Sequence, residues 1–100
     1  MPVNESASIR RLFEVIAAID SPEECAHFFN DLCTIKEIAD MAQRLDTVIL
    51  LDRGVAYQQI SRELGVSTTT VTRVNRSLKY GEGGYQAVLA RLKNKPKNDD

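Results

Sequence analysis

The chain has 100 residues, 43% of them hydrophobic, with 13 lysines and arginines against 14 aspartates and glutamates, a formal charge of −1. That length suits one small domain able to bury a core but with little excess stability, which favours a dimer. No N-terminal run is apolar enough for a signal peptide or membrane span, so a reducing cytoplasm is expected, and one histidine between the only two cysteines, Cys25 and Cys33, falls short of the four closely spaced ligands of a metal site.

The small net charge conceals a division. Residues 1–52 carry four basic side chains against ten acidic ones, a net of −6, whereas residues 53–98 carry nine basic side chains against Glu63 and Glu82, a net of +7. Positive potential is therefore concentrated in the second half of the chain, and an acidic isoelectric point does not exclude a polyanionic partner.

From Ser6 to Ile19 the apolar residues Ile9, Leu12, Phe13, Ile16 and Ala17 recur every three or four positions, which predicts an amphipathic helix. Ser21-Pro22-Glu23-Glu24 then supplies an N-cap, a proline suited to the first helical position and a glutamate able to complete a capping box. A second helix should run from Pro22 to about Leu32, with Cys25, Phe28, Phe29 and Leu32 on its apolar side and both cysteines as partly buried thiols. Thr34 and Glu37 repeat the capping logic for a third helix of nearly five turns, ended by Gly54. Its apolar positions, Ile35, Ile38, Ala39, Ala42, Leu45, Val48 and Ile49 widened by Met41 and Leu51, make too broad a band for one small partner surface.

Tyr57 to Lys79 reads as two short helices joined by a tight turn at Gly65, where a steep crossing needs a residue that tolerates positive φ. Ser61 is small where the second helix must come close. Ile60 and Leu64 line one face of the first helix, and Val66, Val71, Val74 and Leu78 give the second a matching stripe. The outer face is Thr68, Thr69, Thr72, Arg73, Arg76 and Lys79, and such hydroxyls, methyls and cations are what phosphates and major-groove base edges can use. The residue types fit a DNA-binding helix-turn-helix, against the blander reading of a helical hairpin with a polar face. Tyr80-Gly81-Glu82-Gly83-Gly84 is read as a flexible connection. Tyr85, Val88, Leu89 and Leu92 mark a final helix, and KNKPKNDD is expected to be a disordered tail from residue 94, leaving one helical domain over residues 1–93. There is no strand signal or internal repeat.

The run LGVSTTTVTRVNRSLK, preceded by TIKEIADMAQRLDTVILLDRG, resembles the Trp repressor family, most closely its YerC/YecD-type branch. The match covers about residues 28–80, with Thr34, Arg44, Gly54, Leu64-Gly65, Thr72-Arg73 and Ser77-Leu78-Lys79 in family register once one residue is deleted between Gly54 and Ile60. The resemblance implies an all-α, six-helix fold assembled as an intertwined homodimer, which would explain the broad band of the third helix. A twofold dimer would present two recognition helices roughly 34 Å apart to successive major grooves of a palindromic operator.

By family register, Gln58, Ser61, Thr68, Thr69, Thr70, Thr72, Arg76 and Lys79 occupy DNA-contact positions, and Arg73 can hold a phosphate. Ser67 and the following threonines also turn free backbone N–H groups outward at a helix start. The resemblance further implies a corepressor, an amino acid or other small molecule, between two arginines that match Arg44 and Arg73, with Thr34 and Ser77 near an amino-acid head group. Planar guanidinium groups can clamp an aromatic ligand. Each of these residues also has a structural role available, Thr34 as a helix cap and Arg44 as a partner for Glu37 or Asp40. Val74 stands where the family's repressor has glycine, which counts against tryptophan as the ligand.

The sequence thus points to a dimeric DNA-binding transcriptional regulator, read as a repressor because a small dimer acts most simply by occluding a promoter. The alternative is a protein-interaction module that keeps the helix-turn-helix as scaffold. An enzyme is disfavoured, since no nucleophile and base pairing, phosphate-binding glycine loop or metal cluster is present.

Overall fold

The structure, a computed structural model, describes residues 6–94. Six helices follow in order, α1 (Ala7–Ala18), α2 (Pro22–Leu32), α3 (Ile35–Asp52), α4 (Tyr57–Leu64), α5 (Thr68–Tyr80) and α6 (Gly84–Lys93), and the described residues contain no strand. The all-α, six-helix architecture expected from the sequence is the one observed. From residue 95 onward the expected tail lies outside the described residues. The chain divides between Ile38 and Ala39 into two compact units.

In the first unit the helix starts are set by side-chain caps. Ser6 accepts a hydrogen bond from the Ile9 N–H at 3.1 Å, and Ser21 accepts from the Glu24 N–H at 3.0 Å with Pro22 opening α2. Thr34 and Glu37 form a reciprocal capping box, the Thr34 N–H donating to the Glu37 carboxylate at 2.8 Å and the Glu37 N–H to the Thr34 hydroxyl at 3.0 Å. Phe28 and Phe29 meet edge to face with ring centroids 5.6 Å apart. No residue of α1 or α2 is buried in the single chain. Ile9, Leu12, Phe13 and Val15 stay exposed, Phe13 at 48%, and Ile35 is 86% exposed.

In the second unit α3 ends in a Schellman motif. Gly54 takes φ 83°, its N–H donates to the Leu51 carbonyl at 3.0 Å, and the Val55 N–H donates to the Leu50 carbonyl at 3.1 Å. Arg53 thus lies just past the last helical residue. Val48 of α3, Val74 of α5 and Leu89 of α6 form the central cluster, with Ile49, Leu51, Leu78 and Tyr85 packed on it. Each such aliphatic side chain contributes about 1.5–3 kcal/mol through removal from water. A Lys93–Asp52 ion pair at 2.9 Å also joins α6 to α3. Thr47 is buried as well, its hydroxyl donating to the Gln43 carbonyl one turn back at 2.8 Å. The wide apolar band of α3 is only half used, because Met41 and Leu45 remain exposed while Val48 is fully covered.

The glycine-rich connection is shorter than expected. Helix α5 takes in Tyr80 and α6 takes in Gly84, because the Gly81 N–H continues the helical ladder to the Ser77 carbonyl at 3.0 Å and the connection is confined to residues 81–83, with Gly83 at φ 89°. The Gln86 side-chain amide donates to the Leu78 carbonyl at 2.6 Å, tying the start of α6 to the end of α5.

Candidate nucleic-acid interface

Helices α4 and α5 are held at their turn by four local devices. Gly65 adopts φ 69°, ψ 32°, and its N–H donates to the Ser61 carbonyl at 2.9 Å. A side chain at this left-handed position would be strained even though an added Cβ meets nothing within 4 Å. The Ser61 hydroxyl donates to the Val66 carbonyl across the turn, and Ser67 caps α5 by accepting from the Thr70 N–H at 3.0 Å. Ile60 of α4 and Val71 of α5 are fully buried, so the two helices are locked through their apolar faces as the valine spacing predicts.

A fifth tie comes from α3. The Gln43 side-chain amide donates to the Leu64 carbonyl at 3.0 Å, satisfying an end-of-helix acceptor that α4 itself cannot pair. Gln43 gives no periodic signal in the sequence, since it sits beside the apolar band of α3.

With its inner face fixed, α5 turns a polar face outward. Thr68, Thr69, Thr72, Arg73, Arg76 and Lys79 are all exposed there. Thr69, Thr72, Arg73, Asn75, Arg76 and Tyr80 line a shallow groove of about 410 Å³ along this face. The Thr72 hydroxyl donates to the Thr68 carbonyl at 3.0 Å, leaving its oxygen lone pairs available. Gln58 is exposed on α4. Ser61 and Thr70 are half-buried, with hydroxyls engaged at Val66 and Ser67 respectively, so they serve the turn directly.

The residues expected at a ligand are less gathered. Arg44 is exposed on α3 and Arg73 lies in the α5 groove, whereas Ser77 lines a different, largely apolar cleft of about 490 Å³ with Gly81, Glu82, Tyr85 and Val88. Thr34 is engaged in its capping box. Val74, the departure from the family pattern, is 5% exposed and packed in the cluster with Val48 and Leu89. Among the described residues no group of three His, Cys, Asp or Glu side chains could hold a metal ion, and no helix is long and apolar enough to cross a membrane. Cys25 and Cys33 are free, half-buried thiols.

The family model for Trp repressor protein matches residues 7–93. The uncharacterized protein YerC of Bacillus subtilis (strain 168) is 46% identical over 83 residues, covering 83% of this chain and 80% of that protein. A TrpR-like protein from Eubacterium eligens ATCC 27750 has a crystal structure that superposes with a TM-score of 0.86 at 38% identity, over 93% of this chain and 96% of that one. A second crystal structure, from Staphylococcus aureus, superposes with a TM-score of 0.84, also at 38% identity, over 93% of each chain.

Proposed function

The chain belongs to the Trp repressor family, and from that premise we propose that it is a sequence-specific DNA-binding transcriptional regulator, acting as a repressor in the cytoplasm. The observation that carries this reading is the outer face of α5. Five exposed hydroxyl and guanidinium side chains, Thr68, Thr69, Thr72, Arg73 and Arg76, followed by Lys79, stand on a helix whose inner face is pinned by Val71 and Val74. A rigid helix with such a face can enter a major groove, its first turn at base edges and its cations at phosphates. It lies in the half of the chain that carries the net positive charge. Gln58 joins it from α4.

The working form is a homodimer in which residues 1–93 act as one domain. Support comes from the apolar surface left uncovered in the single chain: Ile9, Leu12, Phe13 and Val15 on α1, and Met41 and Leu45 on α3. Amphipathic stripes of that kind are unstable in water and are matched by a second copy of the same surface. The dimer would set two α5 helices against a palindromic operator.

We assign any effector to the neighbourhood of Arg44 and Arg73. Val74 stands against tryptophan there, since its side chain is already part of the core formed with Val48 and Leu89.

The test is selection of bound duplexes from a random DNA pool, with and without amino acids. Recovery of a palindromic sequence is expected. Failure to retain any DNA at low salt, together with capture of one specific protein, would replace this reading with the interaction-module one.

A further inference from the structure

We propose that Tyr80 is a DNA-backbone contact, its phenol hydroxyl donating to a phosphate at the rim of the groove that α5 enters; this rests on the DNA-binding reading above. Of the chain's three tyrosines, Tyr85 packs on the core and Tyr57 opens α4, but Tyr80 is 81% exposed at the last residue of α5. Its ring and hydroxyl are thus open to a partner outside the chain.

Its surroundings identify that partner. Tyr80 closes the groove of about 410 Å³ that Thr69, Thr72, Arg73, Asn75 and Arg76 line along the outer face of α5. Two guanidinium groups, two hydroxyls, an amide and an aromatic ring suit a sugar-phosphate strand, which offers anionic oxygens separated by apolar sugar faces. The dimensions agree. Eleven residues of helix separate Thr69 from Tyr80, about 16 Å at 1.5 Å per residue, whereas the major groove is about 12 Å wide. With Thr69 at the base edges and α5 tilted out of the groove, Tyr80 would be carried toward the flanking sugar-phosphate strand. The Gly81 backbone reinforces this position, since a Cβ there would overlap the Ser77 carbonyl oxygen and force the end of α5 to shift.

A neutral hydroxyl donor and a cation leave different signatures. Neutralising a phosphate releases counterions and contributes to the salt slope, whereas a phenol hydrogen bond contributes affinity without slope. The experiment measures binding of the full-length wild type, Tyr80→Phe, Tyr80→Ala and Arg76→Ala to the duplex enriched from the random pool, across a salt series. Circular dichroism checks that helix content is equal. Tyr80→Phe should weaken binding by about two- to ten-fold per protomer, the range of one hydrogen bond, with an unchanged slope, and Tyr80→Ala should weaken it further. Arg76→Ala should flatten the slope. Wild-type affinity in Tyr80→Phe would overturn the phosphate contact while leaving DNA binding intact. Wild-type protein that retains no duplex at any salt would overturn the DNA reading itself, and with it this contact.

Discussion

The side-chain amide of Gln43 donates to the backbone carbonyl of Leu64 at 3.0 Å, so the long helix α3 holds the last turn of α4 just where the chain bends at Gly65 toward α5. Gln43 lies one turn before the buried pair Thr47 and Val48, and Thr47 in turn donates to the Gln43 carbonyl. One residue thus links the core of the second unit to the geometry of the helix-turn-helix.

Replacing Gln43 with leucine should therefore destabilise the protein by about 1–2 kcal/mol, because the Leu64 carbonyl loses its partner in a half-buried site. Urea unfolding at fixed protein concentration measures this. A midpoint equal to the wild type's would mean that the bond contributes nothing net.

The turn itself gives a second expectation. Gly65→Ala should cost about 1–2 kcal/mol from the left-handed backbone alone, since the added methyl meets no neighbour. Gly65→Asn should cost less, as asparagine tolerates this region better. A larger loss for Gly65→Asn than for Gly65→Ala in thermal unfolding would show that space, not φ, sets the requirement.

Charge at the interface is read by salt. For the dimer, log affinity should fall linearly with log salt concentration, with about 0.9 of slope for each phosphate neutralised. Arg76→Ala should remove about one contact per protomer. Binding indifferent to salt would count against the α5 face as a phosphate-reading surface.

Uncovered apolar residues predict the assembly. Sedimentation at micromolar concentration should give a dimer, and Phe13→Glu, which places a charge on the exposed α1 stripe, should shift it toward monomer. A wild-type chain that sediments as a monomer at that concentration removes the palindromic-operator argument.

Val74, packed with Val48 and Leu89 where the family's repressor has glycine, is the basis for proposing that tryptophan is not the effector. Calorimetric titration with tryptophan should give no micromolar binding. Val74→Gly should lose about 2–4 kcal/mol of stability, combining a cavity beside Val48 and Leu89 with glycine's poor helix propensity. Micromolar tryptophan binding by the wild type would overturn the assignment.

Much of this architecture is written locally in the sequence. Ser21-Pro22 and Thr34-Glu37 announce helix starts because a cap needs only residues three positions apart. Gly54 and Gly65 announce helix ends because positive φ selects glycine. The valine spacing of α5 fixes which side is inward, and by subtraction the outward row of threonines and cations that forms the candidate interface. Tertiary structure decided what depends on partners distant in the chain. Gln43 and Leu64 are 21 residues apart, and Gln86 reaches back to Leu78 across a connection that reads as loose. The same holds for the site: the Ser61 and Thr70 hydroxyls, at DNA-contact positions by family register, are hydrogen-bonded within the turn, Ser77 opens on a different cleft from Arg73, and Tyr80 continues α5 into the stretch that reads as a linker. Periodicity reports which way a side chain points from its own helix, but only packing determines what it meets there.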